Sequence, residues 1–239
     1  MNRGGGRPFR IAHACGNRRD RIAAAIAADV DGIEADLWYR AGEIWIRHER
    51  RLSFLPLLYD RKSPGMNSFG PWSLTVFPNH YVRLDVRPLR LAELLEATCG
   101  KRRLLLDLKD DHSPDRARAY AEALSGALRK AGCGESSIIC GQTDVLDSVR
   151  QVAPELDVRH SIERQQQWEA FLRRLDADPA LRGVCMDHRF LTEPIARLLE
   201  ERGLDVFCWT VDGREDARRL VAMGADGIIS NDLTLLAQL

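Results

Sequence analysis

The stretch Ile33–Glu49, IEADLWYRAGEIWIRHE, decides how this chain is read. Ile33, Ala35 and Leu37 alternate with Glu34, Asp36 and Trp38, the period of two that a strand shows. Ala41-Gly42 follows as a turn, because glycine takes positive φ without a clash, and Ile44, Trp45 and Ile46 open a second strand. This spacing predicts a β-hairpin whose turn, centred near Gly42, sets position 48 opposite position 36. His48 would then return beside Asp36, with Glu34 two residues away on the same face. Alternating charge on a strand, or a histidine near a turn, is by itself an ordinary surface feature. Two carboxylates facing one imidazole read more like a reaction site.

On either side of the hairpin, strand and helix signals alternate. A polar tail, disordered to about Arg7, precedes a strand at Phe9–His13. A helix over Arg18–Ala28 follows, with Asn17 as its N-cap, and then the hairpin's first arm, Gly32–Leu37. Past residue 90 the pattern returns as helix Leu91–Cys99 and strand Arg103–Lys109. Ser113-Pro114-Asp115 starts a helix running to Ala131, with proline at its first position. Strands at Ser137–Cys140, Asp157–Ser161, Gly183–Met186, Asp205–Trp209 and Gly227–Ser230 alternate with helices at Asp144–Val152, Gln165–Leu175, Glu193–Glu201 and Glu215–Met223, and a helix over Leu233–Leu239 closes the chain. Leaving out the hairpin's return arm, eight strands are each followed by a helix. That alternation argues a parallel sheet, and eight units of this length argue an α/β fold closed as a (β/α)8 TIM barrel. The GGG at Gly4–Gly6 precedes the first strand and is no nucleotide fingerprint.

Residues 49–90 interrupt the rhythm. Pro56, Pro64, Pro71, Pro78 and Pro88 fall here with Phe54, Tyr59, Phe69, Trp72, Phe77 and Tyr81. A Pro- and aromatic-rich excursion inside a regular fold reads as a lid or binding loop, so the expectation is one domain over 1–239 with an insertion at 49–90.

Composition narrows the function classes. Of 239 residues, 45% are hydrophobic and 29% charged, and Lys plus Arg equals Asp plus Glu at 35 each. No net field favours nucleic acid or an anionic membrane. Cys15, Cys99, Cys133, Cys140, Cys185 and Cys208 form no CxxC pair and read as reduced, mostly buried thiols of a cytoplasmic protein. The Gly-rich N-terminus lacks a signal peptide's apolar core. The longest clean apolar run, Ile22–Ala28, is too short to span a bilayer.

Barrel active sites sit at the C-terminal ends of the strands. There the pattern collects His13, Glu34 and Asp36, Asp107 and Lys109, then His160, Asp187 and His188, and Trp209 and Asp212. Glu34, Asp36 and Asp107 offer hard oxygen ligands without paired histidines or cysteines, a set suited to Mg2+ or Ca2+ above Zn2+. Lys109 beside such a cation favours an anionic substrate, phosphate above all. Two histidines could then act as base and acid in a displacement at phosphorus. His160, His188 and Asp187 are read as caps or salt-bridge partners. Cys15 is read as a small residue in a tight turn rather than a nucleophile.

The motifs IAHACGN, DGIEADLW, IWIRHE, LLLDLK, FCWTVD and GADGIISND, in this order from Phe9 to Asp232, resemble those of the glycerophosphodiester phosphodiesterases. The resemblance implies a TIM barrel with a small insertion after the hairpin. It implies a divalent metal on Glu34, Asp36 and Asp107, catalysis by His13 and His48, and substrate contacts from Lys109 and Trp209. Asn17, closing the first motif, is a further expected substrate contact. The chain departs from the family pattern at several places. Ala14 stands where an arginine is usual, Glu49 where Asp is usual, Asp107 where Glu is common, and Asp212 where Asn is expected. The usual proline after the last strand is absent. Losing that arginine removes a bidentate phosphate clamp, for which Arg47, Arg51, Arg83, Arg87 or Arg90 are candidate substitutes. The implied activity is metal-dependent cleavage of a small phosphodiester to glycerol 3-phosphate and an alcohol. The alternatives are a lyase-type route to a cyclic phosphate, a non-catalytic barrel binding a phosphorylated ligand, and a metal-dependent hydrolase of C–N or C–O bonds.

Overall fold

The strand pattern just described closes on itself in space. In the computed structural model, residues 6–49, 57–61, 72–77, 80–109, 113–141, 143–178 and 180–239 are described. In chain order the elements are β1 (Phe9–Ala12), α1 (Arg19–Ala27), β2 (Gly32–Arg40), β3 (Glu43–Ile46), β4 (Leu58–Arg61), β5 (Ser73–Phe77), β6 (His80–Arg83), β7 (Leu89–Arg90), α2 (Leu91–Thr98), β8 (Arg103–Leu108), α3 (Pro114–Ala131), β9 (Ser137–Gly141), α4 (Thr143–Val152), β10 (Asp157–Ile162), α5 (Gln165–Leu175), β11 (Gly183–Asp187), α6 (Glu193–Glu201), β12 (Asp205–Trp209), α7 (Arg214–Ala222), β13 (Gly227–Ser230) and α8 (Leu233–Leu236). Strands β1, β2 and β8 to β13 pair in parallel in that order, and β13 returns to β1. The fold is a (β/α)8 barrel.

Alternation along each strand divides the apolar residues between two cores. Ile11, Leu105, Ile138, Cys140, Cys185, Phe207 and Ile229 fill the barrel interior. Ile33, Ala35, Leu37, Leu104, Leu106 and Val184 face outward beneath the helices. Helix α3 shows how sequence sets an element's length. Pro114 occupies its first turn, and Gly132 ends it in the left-handed conformation at φ 68°. The Gly132 and Cys133 amides then donate to the carbonyls of Arg129 and Leu128.

The base of the barrel is plugged. The Arg159 guanidinium, 1% exposed, donates to Asp157 at 3.1 Å and Asp205 at 3.0 Å and lies 4.1 Å from the Phe207 ring centroid. That closure leaves the C-terminal face as the open end.

Several expectations need correction. Asn17 does not cap α1; Arg18 holds the cap position, and Asn17 ends a short 3-10 turn over Cys15–Asn17. Arg7 is no free tail, since it pairs with Asp31. The 49–90 excursion is not simply a loop: β4, β6 and β5 form a separate antiparallel sheet, with Tyr59 and Tyr81 buried. β7 pairs with β3 and rejoins the main sheet. Pro56, Pro64, Pro71, Pro78, Phe54, Phe69 and Arg51 lie outside the described residues. The six cysteines are not all free thiols. Cys99 and Cys133 are bridged, with Cα atoms 6.0 Å apart, while Cys15, Cys140, Cys185 and Cys208 are free and buried. A bridged pair is the usage of an oxidising compartment, so the cysteines no longer argue for the cytoplasm. Among the described residues, no helix is long and apolar enough to cross a membrane.

His160 belongs to the packing between barrel and helices, with its ring 5.6 Å from that of Phe171 in α5. Burial, reinforced by Arg150 and Arg174, pushes its pKa down to about 4. A histidine depressed in the folded state binds its proton more readily when unfolded. Its contribution is therefore complete above about 6.5 and is lost as pH falls through the window down to about 4. The loss is about 3 kcal/mol. Urea titrations at pH 7 and pH 4 should show His160→Phe losing less stability than wild type by about this amount, and parallel losses in the two proteins would contradict it.

Candidate active site

Each functional side chain is held by a local feature of the sequence. Gly16 lets the turn after β1 lie against β2, since a Cβ there would stand 2.5 Å from the Ala35 Cβ and 2.8 Å from the Glu34 carbonyl. Ala14, left-handed at φ 51°, aims its N–H at Glu34 Oε2, 2.5 Å away. Asn17 donates to Asp36 Oδ2 at 2.6 Å and accepts from the Asp36 amide at 3.0 Å. With both ends of its amide engaged and 2% of its surface exposed, Asn17 stands behind Asp36 and fixes that carboxylate.

The hairpin delivers His48 by a different register from the one expected. Ala41 and Gly42 both take positive φ, a two-residue turn whose twist matches the flanking strands. The pairs are therefore Leu37↔Ile46 and Arg40↔Glu43, one residue shifted from a turn centred on Gly42. Continued, that register sets Arg47 opposite Asp36, and the Arg47 amide donates to the Asp36 carbonyl at 2.9 Å. β3 stops at Ile46, and the chain leaves the sheet before His48. His48 reaches the cleft from this irregular segment, with Nδ1 3.6 Å from Glu49 Oε1.

A cleft of about 570 Å3 opens at the C-terminal face, lined among others by His13, Glu34, His48, Asp107, Lys109 and Trp209. Carboxylate oxygens of Glu34, Asp36 and Asp107 lie within 4.8 Å of one another. Lys109 Nζ stands 3.0 Å from Asp36 Oδ1 and is paired with Asp107. His13 Nε2 is 4.0 Å from Glu34 Oε2. Thus His13, Glu34, His48, Asp107, Lys109 and Trp209 share one cleft, with Asp36 just beneath it. Asp187 lies apart, bound to Arg189 at 2.6 Å, and the His188 amide donates to the Trp209 carbonyl. Cys15 is buried in its turn, and burial pushes its thiol pKa up, which suits packing and not nucleophilic attack.

The charges in this cluster are out of balance. Burial, with Asp36 and Asp107 nearby, raises the Glu34 pKa well above its ordinary value. Burial also works against Asp36, but Lys109, His48, His13 and the Asn17 amide hold it below the usual carboxylate range. Burial opposes the Lys109 charge, yet Asp107, Asp36 and Glu34 raise its pKa well above normal. Three carboxylates share one ammonium, which stands 3.0 Å from the buried Asp36 Oδ1. An all-oxygen donor set with surplus negative charge fits a hard divalent cation.

Among the described residues, the candidate replacements for the missing arginine are engaged elsewhere. Arg47 donates to the Glu49 carbonyl, Arg83 pairs with Asp85, Arg87 with Glu93, and Arg90 with Glu43. Among the described residues, Lys109 is the only Lys or Arg lining the cleft. Sequence reasoning missed Asn231, which accepts from His13 Nδ1 at 3.0 Å. It follows the last strand, so the strand-end rule could have found it.

The class is that of (β/α)8 barrel proteins, here with an acidic cluster and two histidines at the open face. The particular family follows from comparison. The family model described as Glycerophosphoryl diester phosphodiesterase family matches residues 20–235, and this chain belongs to that family of phosphoric diester hydrolases. A similar protein is the Arabidopsis thaliana glycerophosphodiester phosphodiesterase GDPD4, 23% identical over 236 residues; the alignment covers 90% of this chain but only 66% of that relative. Among solved structures, a Silicibacter pomeroyi chain carrying the same family name superposes with TM-score 0.78 at 20% identity, covering 98% of this chain and 92% of that one. An Oleispira antarctica phosphodiesterase in complex with the product sn-glycerol-3-phosphate gives TM-score 0.66 at 15% identity, covering 95% of each chain.

Proposed function

We propose that this chain hydrolyses a small glycerophosphodiester to glycerol 3-phosphate and an alcohol. Glu34, Asp36 and Asp107 would hold one divalent cation, Mg2+ or Ca2+. When bound, that cation neutralises phosphate oxygens and so lowers the barrier to attack at phosphorus. Lys109 places an ammonium against the same phosphate, and Trp209 gives the organic part of the substrate an apolar wall. One of the pair His13 and His48 takes the proton of an attacking water as its oxygen bonds to phosphorus. The other protonates the departing alkoxide as the ester P–O bond breaks. Convergence of both imidazoles on the three-carboxylate cluster, within one cleft, is the single observation that carries this reading. The glycerol 3-phosphate bound to the Oleispira antarctica protein supports the product class.

The test is turnover of glycerophosphodiesters in 18O-labelled water with Mg2+ or Ca2+. The expected result is labelled glycerol 3-phosphate as the first product, and none once EDTA is added. A cyclic phosphate appearing first would assign the lyase-type route instead. No turnover across a panel of diesters at millimolar cation would leave a phospho-ligand-binding barrel.

A further inference from the structure

The ring of His13 is held from behind by Asn231, which Asp212 holds in turn. His13 Nδ1 lies 3.0 Å from Asn231 Oδ1, within hydrogen-bond distance. The Asn231 side-chain amide donates in turn to Asp212 Oδ2 at 2.9 Å, and the Asn231 backbone N–H donates to Asp212 Oδ1 at 2.8 Å. The Ser230 hydroxyl donates to that same Oδ1 at 3.0 Å. An ionised carboxylate only accepts hydrogen bonds. The NH2 end of Asn231 must therefore face Asp212, which leaves the carbonyl end for His13. A carbonyl only accepts, so Nδ1 must carry the ring proton. Nε2, the nitrogen on the cleft side and 4.0 Å from Glu34, is then left with its lone pair free.

We propose that Asp212 and Asn231 are positioning residues that lock His13 in the Nδ1–H tautomer and so assign it the role of general base. This deepens the hydrolytic reading and rests on it for the catalytic half of the statement. The lock works through an amide and not through a carboxylate touching the ring. Asp212 acts one hydrogen bond further out, where it orients the amide without adding a charge in contact with the imidazole. His48 is held differently: its Nδ1 stands 3.6 Å from Glu49 Oε1, an oxygen that His80 Nε2 also approaches at 3.8 Å.

The test reverses the lock. In Asp212→Asn, an amide replaces the carboxylate, and its NH2 can turn the Asn231 amide end for end. The NH2 of Asn231 would then face Nδ1, and the ring proton would move to Nε2. Protein carrying 15N-labelled histidine, loaded with Mg2+ and held at a pH where imidazole is neutral, reports the tautomer directly by long-range 1H–15N correlation. The His13 signals are assigned by their loss in His13→Gln. Wild type is expected to show protonated Nδ1, and Asp212→Asn a shift toward protonated Nε2. On a diester substrate, kcat should fall by about 100-fold or more, with KM changing by no more than about threefold. The exchanged double variant, Asp212→Asn with Asn231→Asp, restores an acceptor at Nδ1. It should return the wild-type tautomer and bring kcat back to within about tenfold of wild type.

Protonated Nε2 in the wild type, or an unchanged signature in Asp212→Asn, would overturn the proposal. So would a shifted signature with undiminished kcat, or a double variant that regains neither tautomer nor rate. A wild type showing the expected tautomer but cleaving no diester would refute the hydrolytic reading and leave the lock standing.

Discussion

Glu34→Gln is expected to leave the metal-free protein as stable as wild type, to within about 0.5 kcal/mol, and to remove nearly all turnover. The two halves of this result have one cause. In the metal-free protein, burial and two neighbouring carboxylates raise the Glu34 pKa, which shifts the group toward its neutral form, and Gln reproduces that form in shape and charge. The Gln oxygen can still accept the Ala14 N–H that Glu34 accepts now. A cation, however, needs the ionised carboxylate. In wild type, cation at about 100 times its dissociation constant should add about 2.7 kcal/mol of stability, read as a rise in melting temperature. The variant should lose most of that rise. If the cation supplies several kcal/mol to the transition state, kcat/KM falls by about 100- to 1000-fold. A variant that keeps the thermal shift would show that Glu34 is no ligand.

Removing either imidazole should be comparably severe but should sort the two by role. His13→Ala and His48→Ala are each expected to lower kcat by about 100- to 10,000-fold on a glycerophosphodiester. From a nitrophenyl diester the nitrophenol part departs as a stable phenolate and needs no proton. On that substrate the variant lacking the general acid should recover most of its loss, and the variant lacking the base should not. With His13 as base, His48→Ala is the one expected to recover. Recovery by neither variant would separate both histidines from proton transfer to the leaving group.

Much of this architecture was legible because each β–α unit carries its own punctuation. Helix α3 begins at Pro114 and ends before Gly132, as expected, because proline and a left-handed glycine mark helix ends locally. The three-carboxylate cluster was legible for a similar reason, since period-two alternation settles which side chains of β2 and β8 face inward. Features decided by contact across the chain were not. The hairpin register slipped by one residue, because Ala41 joins Gly42 at positive φ and moves the turn's centre, and alanine gives no sign of doing so. His48 still arrives at the cleft, but only because β3 ends two residues before it. Alternation in Ser73–Phe77 was masked by the surrounding prolines, so the small sheet of β4, β5 and β6 read as a loop. The Cys99–Cys133 bridge spans 34 residues and depends on how α2 packs against α3, which spacing alone does not encode. Asn17 looked like a helix cap because caps and carboxylate holders are drawn from the same short amides.

If Glu34, Asp36 and Asp107 hold one cation beside the two histidines, diffraction from crystals soaked in Mn2+, recorded at the manganese edge, will show it. The expected result is one strong anomalous peak within about 2.0–2.6 Å of an oxygen from each of the three carboxylates, in the cleft lined by His13 and His48. A peak bound elsewhere, or a cluster that stays unoccupied at millimolar Mn2+ with Lys109 still seated on Asp36 and Asp107, would contradict it.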